Sequence, residues 1–582
     1  MKNKFKQIKL IFYTFNLIGK CCKKHLFTIV FLSVVNSIFP IISLLLPQGI
    51  FNMAQQKIQP FNEILKLIII YVIFILVNIC LSNLYSYQLN QLNLKLGYKI
   101  KYLIMEKCSN LPFEKLESST TYDMLTQIND NAYTKPYQTL MAIVNTFIDI
   151  FPIIPVFFII FVWNKWIFFL ILFLSFISFK YDLNIANKEF GLKTGRSSEE
   201  RKAWYYNYLL THDVAFKEVK TLNLKDYFLN RYKKLIDLFI MQESKVNKMK
   251  ILLNMTMSIM HDGVNLLVTI LAIKQVYAGN ILIGTAMTYI NSTNMIQSSI
   301  SKLSFDIYNI YDGNLYMALL QDFFSLDDIS EEGKINISKI NNIKIENLYF
   351  DYPHQKEALK NIDIEINNGE IVAIVGANGS GKTTLLKLLC SLYQPSQGRI
   401  KINGIDLKQI NLQSYKRQMS VLFQDFLKFE GTLLENVYLG NVEKCAKNND
   451  ISRALDSANV DFCLKNGHYE YDRTLGSLFD NGAQLSGGQW QKIALARLFY
   501  KAASLYLLDE PSSALDVKSE AEIFNSFFER NINAICIYVT HKIELAKKAH
   551  KIIVLAQGDI AGIGTHEYLY NNCPEYRKLC FV

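Results

Sequence analysis

The sequence predicts an α-helical six-span membrane domain followed by a soluble α/β domain. Three observations predict it. Apolar runs long enough to cross a bilayer fill about the first 330 of 582 residues, the remaining 240 or so read as an ordinary soluble α/β chain, and that second part holds a glycine-rich phosphate-binding loop between a strand-like and a helix-like segment. Half of the residues are hydrophobic, 13% are aromatic and 19% are charged, which excludes disordered, collagen-like and small disulfide-scaffold classes. The 62 basic residues outweigh the 51 acidic ones to give +11. Topology explains much of that excess without a nucleic-acid partner: seven lysines and no acid lie in residues 1–25, whereas Lys57 is the only basic residue of the loop after the first apolar run. By the positive-inside rule the N-terminus is cytoplasmic. The ten cysteines show no paired metal spacing and read as reduced thiols.

A span needs about 20 mostly apolar residues. Six segments qualify in order: 26–46, 64–84, 140–162, 166–179, 251–276 and 281–307. The first starts directly after the lysine-rich stretch, and it is too long for a signal-peptide core. Asn164 and Lys165 make the only break between the third and fourth, which calls for a tight turn. The sixth is the most polar and contains Asn291, Asn294 and Gln297 among serines and threonines. It is counted as a span because an even number returns the chain to the cytoplasm, and its amide and hydroxyl side chains suit the wall of an aqueous pathway. Asp149 in the third segment and His261 and Asp262 in the fifth are costly at membrane depth, so they either face a cavity, make an interhelical hydrogen bond, or sit nearer water. The expected cavity set is Asp149, Asp262, Asn291, Asn294 and Gln297. Pro40, Pro47, Pro152 and Pro155 are expected at helix kinks or ends. Two polar stretches, 85–137 and 180–250, are rich in helix formers and should prolong the spans as helices. The domain boundaries expected are 1–326 for the membrane domain, 327–342 for a polar linker with Glu331, Glu332, Gly333 and Lys334, and 343–582 for the soluble domain.

The soluble domain carries the chemistry. Gly376-Ala377-Asn378-Gly379-Ser380-Gly381-Lys382-Thr383 fits G-x-x-x-x-G-K-[ST], with a strand-like 371–375 before it and a helical pattern from Thr384 after it. Glycines let backbone N–H groups approach phosphates, Lys382 reaches the β and γ phosphates, and the Thr383 hydroxyl suits Mg²⁺. The apolar run 505–508 predicts a buried strand that ends in Asp509 and Glu510, at the edge where α/β sheets bind ligands. Asp509 is placed to hold a metal, and Glu510 to orient or deprotonate water.

Between them stand Leu485, Ser486, Gly487, Gly488 and Gln489, ahead of a helix-like 490–500. With that pentapeptide the sequence resembles the ATP-binding cassette (ABC) transporter family, whose signature it is. The resemblance implies ATP and Mg²⁺ as cofactors and assigns roles to further residues. Tyr352 stacks on adenine, Gln424 senses the metal and the membrane domain, Asp516 lies in the D-loop, His541 faces the γ phosphate, and Ser486 to Gln489 contact a nucleotide held by an opposing subunit. Six spans fused ahead of one cassette are similar to exporters, whose long cytoplasmic loops end in coupling helices, here expected near 113–124 and 214–223. Before the signature, 474–482 is longer than the usual T-x-V-G-E-x-G stretch and lacks its glutamate. With Gln489-Trp490-Gln491-Lys492 and Phe216-Lys217-Glu218-Val219-Lys220 this is similar to bacterial exporters of modified peptides such as lantibiotics. About 25 residues precede the first span, too few for the cysteine-protease domain of some peptide exporters.

A site that needs the P-loop of one cassette and the signature of another implies a dimer. Intact Lys382, Gln424, Ser486, Glu510 and His541 favour a homodimer over pairing with a different half-transporter. The function expected is ATP-driven export of a peptide by alternating access, from a multi-pass protein of the cell membrane with its cassette in the cytoplasm. Multidrug or lipid export, and a membrane ATPase acting as a sensor, are the alternatives.

Overall fold

The computed structural model describes residues 2–57, 60–329, 333–353, 355–530 and 533–581; Glu331 and Glu332 of the expected linker lie outside them. The chain divides into two compact units, one of Met1–Asn110 with Ser118–Leu326 and the other of Leu111–Glu117 with Asp327–Val582.

The first unit is helical. Its order is α1 (Lys2–Gln56), α2 (Phe61–Asn110), then, after the one-turn α3 (Phe113–Leu116) that belongs to the second unit, α4 (Ser119–Asn131), α5 (Lys135–Trp163), α6 (Lys165–Gly195), α7 (Ser197–Thr211), α8 (Asp213–Thr221), α9 (Lys225–Tyr277) and α10 (Ile283–Phe324). The polar stretches are helical too: α2 and α9 run for 50 and 53 residues, far past their apolar parts. The α5–α6 break follows from Asn164, whose extended backbone ends one helix while its side-chain oxygen accepts from Trp166 N and Ile167 N to cap the next. Pro40, Pro47, Pro152 and Pro155 all sit inside helices, and the non-helical residue of α1 is instead Cys22 (φ −143°, ψ 49°). Neighbouring groups can re-satisfy the backbone that a membrane proline frees.

Among the described residues five helices, α1, α2, α5, α6 and α9, are long and apolar enough to span a bilayer, one fewer than the sequence reading expects. The sixth, α10, is an unbroken helix of 42 residues, and the polar side chains of its first half keep it from that class. It packs on α1, α5, α6 and α9. Val156, Ile160, Ile167, Ile171, Leu174, Val264, Val268 and Ile296 from four of these helices form an apolar core. At Gly313 the close approach is explicit, since a Cβ there would lie 1.9 Å from Thr139 Oγ1.

The second unit is built on two main sheets. The first, in the order β2-β1-β4-β5, is antiparallel and comprises β1 (Asn342–Tyr352), β2 (Gln355–Asn367), β4 (Gln397–Ile402) and β5 (Ile405–Asp406). The second has the order β14-β13-β3-β12-β11-β6, in which β3 (Ile371–Gly376), β6 (Met419–Leu422), β11 (Leu505–Asp509), β12 (Ile535–Val539) and β13 (Lys551–Ala556) are parallel and β14 (Asp559–Gly564) is antiparallel. The strands β11 and β12 are buried at all five positions, as the apolar run 505–508 predicts. Helix α11 (Lys382–Leu389) follows β3, and α12 (Leu412–Arg417) precedes β6. After β7 (Gly431–Thr432) come α13 (Leu433–Tyr438), α14 (Asn448–Ser457), the short β8 (Leu464–Lys465), β9 (His468–Tyr469) and β10 (Thr474–Leu475), and then α15 (Gly487–Tyr500). Helices α16 (Val517–Arg530), α17 (Ile543–Ala546), α18 (His566–Asn572) and α19 (Pro574–Cys580) complete the unit.

Candidate functional site

Four parallel strands bring the site together. The loops that leave the C-terminal ends of β3, β6, β11 and β12 carry the P-loop, Gln424, Asp509 with Glu510, and His541. This is the edge at which open α/β sheets bind ligands, and it joins residues up to 165 positions apart in sequence, from Gly376 to His541.

The P-loop, Gly376 to Lys382, wraps into the N-terminus of α11. Gly381 holds a left-handed backbone (φ 100°) as the helix cap, and a Cβ at Gly376 would lie 2.2 Å from Leu555 O, so both positions require glycine. Ala377, Asn378 and Gly379 form the exposed turn, while Ser380 is buried and its Oγ has no partner among the described residues. Lys382 Nζ donates to Gly376 O and Ala377 O at 3.0 Å each, and burial pushes its ammonium below the ordinary lysine range despite Glu510 and Asp509 nearby. Thr384 Oγ1 lies 3.2 Å from Tyr352 Oη, which ties the end of β1 to α11.

Asp509 closes β11 at 2% exposure. Burial raises its carboxyl above the usual range, a hydrogen bond from Thr383 opposes that rise, and its Oδ1 has no partner among the described residues. Glu510 has a positive φ of 47°, a costly conformation for a side-chain-bearing residue. Its two oxygens are held apart: Gln424 Nε2 donates to Oε2 at 2.9 Å, and His541 Nε2 lies 3.0 Å from Oε1. The sequence reading puts His541 on a phosphate, and in the structure its partner is Glu510.

The signature forms the N-terminus of α15. Ser486 and Gln489 cap it reciprocally, with Gln489 N donating to Ser486 Oγ and Ser486 N to Gln489 Oε1, so the Gln489 side chain serves the helix. Gly487 faces open space, while a Cβ at Gly488 would crowd Ala514 O at 2.7 Å. The buried Gln491 accepts from Ala514 N and reaches Ser513 Oγ, which fastens the D-loop to the signature helix. Sequence reasoning gave Gln491 no such role, although its place in a helix face directed at the core was a signal. Asp516 accepts from Ser519 N at the start of α16. In the departure before the signature, Glu430 supplies a carboxylate from another segment and accepts from Leu478 N.

The segment Leu111–Glu117 clusters with this unit. Phe113 meets Tyr393 edge to face at 5.7 Å, Tyr393 donates to Glu117, and Tyr393 in turn lies edge-on to Tyr352 at 5.4 Å. One aromatic chain thus connects a loop of the membrane half of the sequence to the residue expected beneath adenine.

The helical unit holds a polar cavity of about 350 Å³ between α6, α9 and α10. Of the expected set only Gln297 lines it; Asp182, Glu189 and Lys250 supply its ionisable acid and amine groups beside His261, a set not foreseen as a group. Asp149 is placed instead on α5 within electrostatic reach of Lys302 and the buried Asp306, to which Asn145 is bonded. Asp262 is exposed on α9 beside His261, Asn294 accepts from Asn265, and Asn291 is exposed. Helical phase explains the difference, because adjacent residues diverge by about 100° around the axis.

A family model described as "ABC transporter" matches residues 359–513. The chain is 38% identical over 569 residues to the subtilin transport ATP-binding protein SpaT of Bacillus subtilis, covering 97% of this chain and 93% of that one. It is 34% identical over 573 residues to the nisin transport ATP-binding protein NisT of Lactococcus lactis subsp. lactis, covering 98% and 95%. Among solved structures, a bacterial Atm1-family ABC exporter with ATP bound shares the fold at a TM-score of 0.78 and 19% identity, over 97% of this chain and 98% of that one.

Proposed function

The chain belongs to the ABC transporter family, and on that premise we propose that it exports a modified, lantibiotic-like peptide across the cell membrane by ATP-driven alternating access. The observation that carries the reading is the bracketed Glu510 beside a complete P-loop, since a carboxylate held by Gln424 and His541 is oriented to take a proton from water. Two relatives named for subtilin and nisin transport, matched almost end to end, support the cargo class and disfavour drug or lipid export and a sensor role.

In this reading the P-loop N–H groups and Lys382 cradle the β and γ phosphates, and Tyr352 stacks on adenine. Lys382 exchanges its two carbonyl partners for phosphate oxygens. His541 exchanges Glu510 for the γ phosphate, which frees one carboxylate oxygen for the attacking water. The residues also fit Mg²⁺, because Thr383, Gln424 and Asp509 offer only oxygen donors and the buried Asp509 Oδ1 is an orphan acceptor. When bound there, the metal neutralises phosphate charge.

Ser486, Gly487 and Gly488 then serve the P-loop of a second copy, and Asp516 lies at that interface. The sixth span is α10, which brings the chain back to the side of its lysine-rich N-terminus, the cytoplasm. Ligand-driven closure requires that ATP bind the joined cassettes more tightly than the separated ones.

The test is ATP-dependent peptide uptake into inverted vesicles, beside ATPase activity of the reconstituted protein. Wild type should accumulate cationic lanthionine peptides and be stimulated by them, and Glu510→Gln should bind ATP while losing turnover by about 10² or more. Stimulation by hydrophobic drugs or lipids alone would overturn the cargo class, and wild-type turnover in Glu510→Gln would overturn the base.

A further inference from the structure

Lysines in the interior of α1 and α2 line an open groove of about 780 Å³ that the nucleotide site does not use. Lys23, Lys24 and His25 of α1 face Lys95 and Lys99 of α2 across it, and among the described residues no acidic one lines it. Across residues 1–105 the single acid is Glu63, which sits at the opposite end of α2. Among the described residues none of the four lysines forms an ion pair, and Lys95 is held 2.9 Å from His25 Nε2 while His25 Nδ1 lies 2.8 Å from Gln88 Oε1. Four like charges gathered without a counter-charge repel one another, so the arrangement favours an anion.

The depth of the groove names the anion. His25 immediately precedes the apolar run of α1, and its bond to Gln88 places it four residues past the apolar run of α2, so the His25 end of the groove, with Lys23 and Lys24, lies where hydrocarbon gives way to headgroups, and Lys95 and Lys99 continue it away from the apolar run. Tyr98 and Tyr102 are exposed in its wall, farther along α2 from the apolar run. The most apolar 18-residue stretch of α2 holds no buried residue, and Phe27 and Phe31 of α1 are exposed just past the lysines, apolar surface for acyl chains.

We propose that this groove binds the phosphate-bearing headgroup of an anionic phospholipid, with Lys23, Lys24, Lys95 and Lys99 as the cations that hold the phosphate. Lysines at this level attract anionic lipid through their charge while their stems lie along apolar surface. The bound lipid would clasp α1 to α2 beside the backbone break at Cys22.

The experiment is native mass spectrometry of the full-length protein after delipidation, titrated with phosphatidylglycerol or phosphatidylcholine. Wild type should retain the anionic lipid at least about fivefold over the neutral one. Replacing the four lysines by glutamine should bring the ratio near one, and replacing them by arginine should preserve it. Unchanged ATPase activity in neutral bilayers certifies that the glutamine variant is folded, and the pairs Lys23→Gln with Lys24→Gln and Lys95→Gln with Lys99→Gln, tested separately, should each give part of the loss. Equal retention of both lipids by wild type would overturn the proposal. So would displacement of the lipid by millimolar inorganic phosphate, which would mark a soluble-anion site, or a change of oligomeric state with lipid retention intact, which would mark an interface between copies.

Discussion

At the residue scale the catalytic edge concentrates strain and unmet hydrogen bonding. Glu510 stands at φ 47° and Asp509 keeps an orphan oxygen at 2% exposure. Strain of the first kind costs about 1–3 kcal/mol. For Asp509 the sign of the linkage is definite. Burial raises the folded carboxyl above its ordinary value near 4, so the stability of the nucleotide-free cassette falls as pH rises from about that value through the raised one. At neutral pH the ionised carboxylate therefore destabilises the fold unless a cation meets it. Asp509→Asn should melt at a higher temperature than wild type without nucleotide at pH 7.5, and should lose most of the stabilisation that Mg-ATP gives. A lower melting temperature with an undiminished Mg-ATP effect would contradict this account. At this scale the sequence was informative wherever a residue type has one chemical use in its motif, as with Lys382, Thr383 and Glu510. It was silent about Gln491 and Asp306, whose roles come from neighbours far away in the chain.

At the element scale, aromatic and amide contacts join loops distant in sequence. The aromatic chain Phe113–Tyr393–Tyr352 is local to the second unit and spans about 280 residues of sequence, from α3 to the stretch after α11. Aromatic pairs of this kind contribute about 0.5–1.5 kcal/mol beyond burial. Tyr393→Ala should leave ATP binding nearly intact but reduce peptide stimulation of ATPase severalfold, whereas Tyr393→Phe, which keeps the rings and loses only the bond to Glu117, should fall between the two. Equal stimulation in Tyr393→Ala and wild type would show that the chain is only structural. The fastening of the D-loop by Gln491 works over a shorter range. Its two amide contacts tie the start of the D-loop directly to the signature helix.

At the scale of the whole molecule the chain offers one P-loop and one signature, and the described contacts of the signature run to its own D-loop. Closing a site with a second copy predicts complementation. Lys382→Ala and Ser486→Ala should each abolish ATPase activity alone, and co-reconstitution should recover part of it, because a mixed dimer joins the intact P-loop of one copy to the intact signature of the other. Recovery to zero would argue for a monomeric site or a different partner. The same scale governs the span count. Among the described residues five helices meet the apolar criterion and α10 does not, since a helix that packs on α1, α4, α5, α6 and α9 and borders a cavity need not be apolar all round.

The sequence by itself determined the two-part architecture and the chemistry of the nucleotide edge, because bilayer thickness and phosphate charge impose local patterns of length, apolarity and glycine spacing that survive in one dimension. It also marked the turn at Asn164 and the buried strand ending at Asp509. Only the tertiary structure decided which polar side chains share a cavity of the helical unit, where Asp182, Glu189, Lys250 and His261 meet Gln297. It alone also gathered the lysines of α1 and α2 into one groove and bonded His541 to Glu510. The physical reason is common to all three. A side chain's partner depends on helical phase and on the approach of elements distant in sequence, and a linear pattern fixes which residues are polar without fixing which of them meet.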